Sequence, residues 1–287
     1  MLQTSDFHPS DTMTQTYWFI FSGTDLLLEK LSDGTYTIPT GEQPPIEPEK
    51  DKQPHHINTP DDDEVYTFQH NHIQEALSTG NHPYELCPLR ASYYKLPHHL
   101  YLKAGKCQEI LYWDHHTQYC GVCGAPMKLH TDISKRCTKC DNEVWPQLAT
   151  AVIVLVHRQR MDVATHEPVD EVLLVHARNF RRDFFGLVAG FVETGETLEE
   201  AVHREVLEET GITITNLRYF GSQPWPYPCG LMVGFHADYV SGTIRLQDEE
   251  LAQGGWFRRE HLPQIPEKLS IARRLIDDWL AEPNTVV

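Results

Sequence analysis

The chain has 287 residues, which exceeds one ordinary domain of ~100–150 residues and predicts about two domains. Hydrophobic residues make up 40% of the sequence and charged residues 23%, which excludes a wholly disordered protein. The 24 basic and 41 acidic residues give a net charge of −17, which argues against a protein that coats nucleic acid through a basic face.

The N-terminus is polar and carries no apolar signal core, which argues against secretion. The longest apolar runs, such as residues 151–156, fall far short of the ~18 residues that a membrane-spanning helix needs. We therefore expect a soluble, cytoplasmic protein without a membrane segment.

Residues 1–115 have a mixed pattern without a catalytic motif. Five prolines and many charges in residues 41–63 predict an exposed loop, and NHIQEALSTG predicts a short helix that ends at Gly80. Three short extended segments are predicted at 16–21, 25–30 and 35–40. We interpret this segment as a smaller N-terminal α/β domain that serves packing or dimerisation.

Two CxxC pairs follow, separated by thirteen residues: Cys120 with Cys123, and Cys137 with Cys140. Four thiolates can occupy the corners of the tetrahedron that Zn²⁺ accepts, and a full set of cysteine ligands leaves no open position, so the zinc is expected to be structural. A thioredoxin-like redox site needs only one pair and fits poorly. Residues 116–145 are therefore predicted to form a zinc ribbon with one Zn²⁺.

The three remaining cysteines are expected to be small buried hydrophobes: Cys87, Cys107 and Cys229.

Strands and helices interleave in residues 146–287, which predicts an α/β or α+β class with a mixed sheet. The helix at 197–210 has apolar residues at helical spacing and ends at Gly211; they are Leu198, Val202, Val206 and Leu207. A closing amphipathic helix is predicted at 267–282. Strands are predicted at 148–156, 171–177, 185–192, 231–240 and 254–259.

Three carboxylates lie at neighbouring positions of the first of these helices: Glu205, Glu208 and Glu209. A solvated acidic face would explain such a cluster alone, although like charges at this spacing cost ~0.2–0.5 kcal/mol per pair in an isolated helix. The surrounding residues at fixed offsets argue against that interpretation; they are Gly190, Glu196, Arg204 and Gly211.

This pattern resembles the Nudix box of the Nudix hydrolases. Three further features resemble the NADH pyrophosphatase (NudC-type) branch: the array Ser222–Pro228, the preceding four-cysteine ribbon, and Ala272-Arg-Arg-Leu near the C-terminus. The resemblance implies a Nudix α/β/α sandwich with a mixed sheet over residues 146–287, after the ribbon and the N-terminal domain.

The resemblance also implies a site for two or three Mg²⁺ or Mn²⁺ ions, since hard cations prefer oxygen ligands. The metal ligands it implies are the carbonyl of Ala189 and the carboxylates of Glu205, Glu208, Glu209 and Glu250. Arg204 is expected to orient the carboxylates, and Glu196 to assist as an auxiliary base. The identity of the general base among the glutamates stays open, because neighbouring carboxylates titrate as a coupled set.

On the substrate side, the array is expected to form a stiff wall with aromatic faces for stacking and an amide for hydrogen bonds to a base. The implied substrate-binding residues are Arg90, Asp132, Trp145, Gln223, Pro224, Trp225, Pro226, Tyr227, Pro228, Cys229, Gly230 and Ala272. Cys229-Gly230 stands where the family has Gln-Ser, Trp145 where it tends to have Tyr, and Asp132 where it tends to have Glu.

The resemblance implies a hydrolase that cleaves the pyrophosphate of NADH or NAD⁺ to nicotinamide mononucleotide and AMP, acts on NAD-capped RNA, and forms a homodimer. One alternative is a catalytically silent Nudix domain that senses nucleotides as a regulator; the intact set of glutamates argues against it. Another is a nucleic-acid-binding ribbon protein, which the net charge disfavours.

Overall fold

The computed structural model describes residues 15–50, 52–61, 63–78, 82–178, 183–247 and 250–282. The chain divides into two compact units, Met1–Gln147 and Leu148–Val287. Within the described ranges, every helix is too short or too polar to cross a membrane.

The described residues of the first unit form two sheets and three helices. Its strands are β1 (Thr16–Ser22), β2 (Asp25–Lys30), β3 (Tyr36–Thr37), β4 (His55–His56), β5 (Glu64–Gln69), β6 (Tyr84–Pro88), β7 (Met127–Thr131), β8 (Ser134–Cys137) and β9 (Glu143–Val144). Its helices are α1 (Ile73–Leu77), α2 (Leu89–Ser92) and α3 (His98–His116).

The larger sheet of this unit has the order β3-β2-β1-β5-β4, and β6 pairs with β2. Its central strand β1 is antiparallel to β2 and parallel to β5. Both faces of β1 are covered, because Tyr17 to Phe21 are all buried. An apolar run buried on both faces is what places β1 at the centre of the sheet. Strands β7, β8 and β9 form a separate three-stranded sheet that carries the CxxC pairs.

The proline-rich segment 41–63 is less exposed than the sequence predicted. Its residues His55 and His56 pair with β5, and Ile57 is buried. Near its end, Asp61 and Asp63 form ion pairs with the buried ammonium of Lys103. The segment therefore packs through a few anchoring residues, which prolines permit at the edge of a sheet.

Two helices of this unit differ from the expectation. Helix α1 is confined to Ile73–Leu77, and the predicted end at Gly80 lies outside the described residues. The nineteen-residue helix α3 was not predicted. Its buried face includes the polar residues Lys103 and Gln108 whereas Leu102 is exposed, so the amphipathic pattern is weak.

The second unit contains strands β10 (Ala149–Met161), β11 (Pro168–Ala177), β12 (Val188–Phe191), β13 (Ile212–Pro224), β14 (Gly230–Gly242) and β15 (Leu251–Arg258). Its helices are α4 (Leu198–Thr210) and α5 (Ile271–Ala281), and a 3₁₀ turn spans Arg259–His261. The sheet order is β13-β14-β10-β11-β15, with β12 paired to β10.

Strand β10 is the centre of this sheet. It is parallel to β14, with Ala149 opposite Gly230, and antiparallel to β11 and β12. One antiparallel and one parallel neighbour also flank β1, so the central strands of the two units have the same pairing. The predicted mixed sheet is confirmed.

A helix packs on each face of the second sheet. On one face, alternate residues of β10 such as Val152 and Val154 share a core with Val202 and Val206 of α4. On the other face, Leu155 packs with Leu275 and the remaining buried residues of α5. The unit is therefore an α/β/α sandwich, as the sequence predicted.

Both helices of this unit have side-chain caps. Helix α4 begins with a capping box between Thr197 and Glu200 and ends at Gly211, which has a left-handed φ of 70°. Helix α5 starts at Ile271, later than predicted, because the Ser270 side chain accepts a hydrogen bond from the Arg273 N–H and caps it there. Leu207, predicted to face the core, is 51% exposed.

Candidate active site

Helix α4 presents its three glutamates with very different exposure. The side chains of Glu205 and Glu208 are 12% and 55% exposed, whereas Glu209 is buried with 5% exposed. Each lies on the part of the helix that continues from the buried Val202–Val206 stripe toward solvent. The three carboxylates are thus graded from buried to exposed around one turn of the helix.

Arg204 connects these carboxylates to the preceding loop. Its Nη1 atom donates to Glu205 Oε1 at 2.9 Å and to Glu208 Oε2 at 3.2 Å. Its Nε and Nη2 atoms donate to the two oxygens of Glu196 at 3.0 and 2.6 Å, and Nη2 also donates to the Phe191 carbonyl. The guanidinium therefore links Glu196, Glu205 and Glu208 in one hydrogen-bonded network.

Glu196 is held as an anion in this network. The hydrogen bond from Arg204 and a second one from the Glu193 N–H lower the pKa of Glu196. A carboxylate stabilised in this way is a weak proton acceptor. Glu196 is thus better suited to orienting Arg204 than to the auxiliary-base role that the sequence suggested.

The pKa of Glu209 is raised to about 8, first because burial disfavours its charge and then because Glu205, Glu250 and Glu208 are negatively charged neighbours. Burial also raises the pKa of Glu205, although Arg204 opposes the rise. A carboxylate cluster with these properties is electrostatically strained without a counter-charge.

Strand β12 lies close against the helix at this point. A Cβ atom on Gly190 would stand 1.9 Å from Oε1 of Glu205, so that only glycine leaves room for the carboxylate. Ala189 precedes it on the same strand and pairs with Ile153 of β10. The box glycine and the box glutamate are therefore complementary in space.

Glu250 lies in the turn before β15, near the end of α4. Its N–H donates to the Gln247 carbonyl, and the Gln247 N–H donates to the Glu209 carbonyl at 3.0 Å. The Glu250 carbonyl in turn accepts from the Arg178 N–H at 2.8 Å. These backbone bonds place Glu250 beside the helix glutamates although it is forty-one residues from Glu209.

A cavity of about 850 Å³ joins the glutamate cluster to the proline-rich array. The box and the turn contribute Ala189, Gly190, Phe191, Glu193, Arg204, Glu205, Glu208, Glu209, Gln247, Glu250 and Leu251. The array contributes Trp225, Tyr227, Pro228, Cys229 and Gly230. The sheet contributes Ala149, Ala151, Val175, Ala177, Arg178, Leu187 and Met232.

The array begins within β13 and leaves it at Pro224. Trp225 and Tyr227 meet edge to face, with ring centroids 5.1 Å apart, and the Trp225 N–H donates to the Gly230 carbonyl. A Cβ atom on Gly230 would lie 3.1 Å from the Ala149 carbonyl, so glycine allows the loop to approach β10 closely. Cys229, expected to be a buried hydrophobe, is partly exposed and lines the cavity.

Gln223 was predicted to offer its amide to a base, and in the structure this amide contacts backbone groups. Its Nε2 atom donates to the Leu269 carbonyl at 2.8 Å, and its Oε1 atom accepts from the Ile271 N–H at 2.6 Å. Both ends of the amide are thereby engaged at the start of α5, where they join the array to that helix. Gln223, Pro224 and Pro226 are outside the cavity lining.

Four further residues were predicted to bind substrate. Ala272 lies on the buried face of α5, in the hydrophobic core. The other three belong to the first unit: Arg90 is exposed on α2, Trp145 is exposed after β9, and Asp132 accepts a hydrogen bond from Asn58 at 2.7 Å. Their assignment to the substrate stays a prediction.

The four cysteines of the ribbon form a compact cluster, with all Sγ atoms within 4.8 Å of one another. The Sγ atoms of Cys120 and Cys140 are 3.7 Å apart, and those of Cys123 and Cys137 are 3.5 Å apart. A zinc ion with ~2.3 Å Zn–S bonds requires S···S distances of ~3.8 Å. The cluster therefore fits a tetrahedral zinc site.

Among the described residues, no other set of three Cys, His, Asp or Glu ligand atoms gathers this tightly. The glutamates of helix α4 are neighbours, but their carboxylate oxygen atoms lie too far apart to form such a cluster. Mutual repulsion and the attraction of Arg204 for Glu205 and Glu208 account for their separation.

The sequence reasoning missed several residues that line the cavity, among them Phe191, Arg178 and Gln247. Phe191 follows the box glycine directly, so alternation along β12 was a usable signal. Arg178 and Gln247 come to the cavity only through the pairing of β11 with β15, which no local pattern reveals.

Comparisons with known families agree with this arrangement. Residues 148–279 match the NUDIX domain, and residues 115–144 match the NADH pyrophosphatase zinc ribbon domain. Residues 15–113 match the NADH pyrophosphatase-like rudimentary NUDIX domain. This last match agrees with the shared pairing of β1 and β10, a likeness that the sequence reasoning did not detect.

Three relatives carry the name NAD-capped RNA hydrolase NudC. The chain is 42% identical over 178 residues to that of Pseudomonas aeruginosa strain LESB58, which is 62% of this chain and 60% of the relative. It is 41% identical over 183 residues to that of Shigella dysenteriae serotype 1, covering 63% and 67%. With Deinococcus radiodurans the identity is 40% over 198 residues, 69% of each chain. The alignment thus spans less than two thirds of the Pseudomonas relative.

Proposed function

This chain belongs to the NudC-type family of Nudix hydrolases, and from that membership we propose that it hydrolyses the pyrophosphate bond of NAD(H). The products are AMP and nicotinamide mononucleotide, in its reduced form when the substrate is NADH. The same reaction at an RNA 5′ end removes an NAD cap. Water adds across the P–O–P linkage, so that each product keeps one phosphate.

One observation carries the proposal: a single cavity has carboxylates at one part of its wall and an edge-to-face pair of aromatic residues at another. Glu205, Glu209 and Glu250 supply oxygen ligands for hard cations. Trp225 and Tyr227 supply faces on which a base can stack. A volume of about 850 Å³ is within the range of cavities that accommodate small organic ligands.

The glutamate cluster fits Mg²⁺ or Mn²⁺ in its chemistry. Burial and neighbouring carboxylates raise the pKa of Glu209 to about 8, and a divalent cation would supply the missing counter-charge. We assign Glu205, Glu208, Glu209, Glu250 and the Ala189 carbonyl as its ligands. When bound, such cations neutralise phosphoryl oxygens and lower the pKa of a coordinated water.

Other residues of the second unit position the proposed metal ligands and the base of the substrate. Arg204 holds Glu205 and Glu208 in one orientation and is itself held by both oxygens of Glu196. Gly190 leaves the space that the Glu205 carboxylate occupies. Trp225 and the neighbouring prolines limit where the base of the substrate lies, because proline restricts the backbone φ angle.

Several finer assignments belong to the same proposal. We divide the chain into an N-terminal domain over 1–115, a ribbon over 116–145 and the catalytic domain over 146–287. The substrate-binding role of Arg90, Asp132, Trp145 and Ala272, a homodimeric state and a cytoplasmic location are also part of it.

A substrate panel tests the proposal. The purified protein is incubated with NADH, NAD⁺, ADP-ribose and NAD-capped RNA, each with Mg²⁺ and with Mn²⁺, and products are separated by chromatography. AMP and the mononucleotide should appear from NADH or NAD⁺. Glu209→Gln, which keeps the shape but removes a charged ligand, should lower the rate by ~10²-fold or more. Failure to cleave any dinucleotide would favour a silent sensor instead.

A further inference from the structure

The proline-rich array is a loop whose two ends lie on neighbouring strands. Pro224, the last residue of β13, pairs with Leu231 of β14. The Trp225 N–H closes the loop by donating to the Gly230 carbonyl at 2.7 Å. The β14 end is held within the sheet, because Gly230 lies opposite Ala149 of the central strand β10. The β13 end belongs to the last of the described strands on that side of the sheet, so its support has to come from outside the sheet.

The residues that begin helix α5 supply this support. The amide of Gln223 donates from Nε2 to the Leu269 carbonyl at 2.8 Å, and its Oε1 atom accepts from the Ile271 N–H at 2.6 Å. The Nη2 atom of Arg274 donates to the Ser222 carbonyl at 3.3 Å. Two consecutive residues of β13 are therefore joined to the start of α5 by hydrogen bonds.

The backbone groups that Gln223 contacts belong to a buried part of the chain. The side chains of Leu269 and Ile271 are each 2% exposed. The N–H of the first residue of a helix has no partner within the helix, so Gln223 satisfies a donor that α5 itself leaves open. Ile271 also packs directly on β14, since a Cβ atom on Gly234 would lie 2.9 Å from its Cδ1 atom. The start of α5 is thus fixed to the sheet beside the array.

Gln223 lies close to the cavity without lining it. It pairs with Met232 of β14, which both lines the cavity and packs against the buried residues of α5. Trp225 and Tyr227, two and four residues after Gln223, do line the cavity. Only Pro224 separates Gln223 from Trp225. Because proline restricts the backbone φ angle, a displacement of Gln223 is passed on to Trp225.

We propose that Gln223 is a positioning residue, which holds Trp225 and Tyr227 in place for the base of the substrate by joining the array to α5; this inference rests on the proposed function. Gln223 makes no contact with the substrate and transfers no proton. Its amide holds the β13 end of the array, while the pairing of Gly230 with β10 holds the other end. The contact from Arg274 strengthens the same attachment.

Amide hydrogen exchange tests the attachment in the free protein. Gln223→Met keeps the approximate size of the side chain and removes both hydrogen bonds of its amide. The N–H groups of Trp225 and Tyr227 should then exchange about tenfold faster, while those of β10 and β11 keep their rates. Trp279→Phe is the matched control, since it removes a hydrogen bond of α5 to Asp170 and leaves the contacts of the array intact. Equal exchange of the two array amides in Gln223→Met and wild type would overturn the inference.

Steady-state kinetics test whether the attachment serves the substrate. Gln223→Met should raise KM for NADH by roughly 5- to 50-fold, less than a complete loss of stacking would, while kcat changes by less than about threefold. The affinity for Mn²⁺ should be retained. Trp279→Phe should lower the thermal midpoint without changing KM, which separates a loss of positioning from a general loss of stability. A Gln223→Met variant with the KM of wild type would contradict the positioning role.

A double-mutant cycle distinguishes positioning from direct contact with the substrate. If Gln223 acts through Trp225, Gln223→Met in a Trp225→Ala background should raise KM by less than about twofold, because the stacking face is already absent. A residue that touched the substrate itself would raise KM by the same factor in both backgrounds, and that result would refute the inference.

The experiments also separate this inference from the proposed function. A wild-type protein that cleaves neither NADH nor NAD⁺ contradicts the proposed function, whereas hydrogen exchange still decides whether Gln223 holds the array. A wild-type protein that cleaves NADH, with Gln223→Met equal to Trp279→Phe in KM, contradicts the role of Gln223 alone.

Discussion

Replacing Gly190 by alanine should displace the Glu205 carboxylate in the cavity while preserving the fold. The added Cβ would lie 1.9 Å from Oε1, 2.0 Å from Cδ and 2.3 Å from Oε2 of Glu205. Ordinary contact between such atoms needs ~3.5 Å, so the carboxylate must move by about 1.5 Å. Gly190 has no left-handed φ, and the methyl group therefore adds no backbone strain.

This displacement breaks the 2.9 Å hydrogen bond between Arg204 and Glu205 and shifts a proposed metal ligand. A misplacement of ~1 Å in a catalytic group can cost ~10²-fold in rate. We therefore expect kcat/KM for NADH to fall by about 10²-fold or more in Gly190→Ala. The thermal midpoint should change little, because the clash involves the end of one side chain.

The assay combines steady-state NADH hydrolysis, Mn²⁺ affinity and thermal unfolding on each purified variant. Gly221→Ala is the matched control, since Gly221 lies on β13 and a Cβ there meets no atom within 4 Å. If Gly190→Ala matches Gly221→Ala in kcat/KM, Glu205 can move without loss and the geometric reasoning is wrong. A large decrease in the thermal midpoint would instead show that the methyl group displaces strand β12 itself.

Three further predictions concern zinc, the array and pH. Elemental analysis should find about one zinc per chain, and Cys120→Ser should lose it together with local structure, because metal binding supplies folding energy in so small a ribbon; protein purified without chelator and free of zinc would contradict this. Trp225→Ala should lower kcat/KM for NADH by roughly 5- to 150-fold through lost stacking, with Mn²⁺ affinity and thermal midpoint retained; unchanged NADH kinetics would remove Trp225 from the substrate site. The hydrogen bond between His157 and Asp170 raises the pKa of His157 by more than burial lowers it, and the charge of Asp238 raises it further. The protonated His157 therefore stabilises the folded protein fully below about pH 6.5, and this stabilisation is lost as the pH rises through the pKa of His157 in the folded state. The thermal midpoint of wild type should therefore exceed that of His157→Gln by more at about pH 6 than at about pH 9, and a constant difference would refute the assignment.

Helix α4 was predictable because its signals are local. Thr197 and Glu200 form the capping box at its start, and Gly211 adopts the left-handed conformation at its end. Arg204 lies one turn from Glu208, so their ion pair also follows from spacing alone. Such features need no knowledge of the sheet.

Other parts of the site depend on contacts between distant segments. The amide of Gln223 could bind a base or the backbone, and the start of α5 at Ile271 decides the outcome. Arg178 reaches the wall beside Glu250 through strand pairing that joins segments more than seventy residues apart. Helix α3 was not predicted because its buried face includes the polar Lys103 and Gln108 and its exposed face includes Leu102, which hides the periodic pattern.

The parallel pairing of β10 with β14 also limits when the cavity can form as the chain is synthesised. Ala149 lies opposite Gly230, so this pair joins positions separated by roughly eighty residues, the kind of non-local contact that slows folding. Ala149 and Ala151 of β10 face the same cavity as Met232 of β14 and Glu250 beyond it. A nascent chain that has been synthesised to the end of helix α4 already carries Glu205, Glu208 and Glu209. It still lacks the later residues that line the cavity. The cavity therefore cannot form before Glu250 and Leu251, at the start of the last strand of the sheet, have left the ribosome.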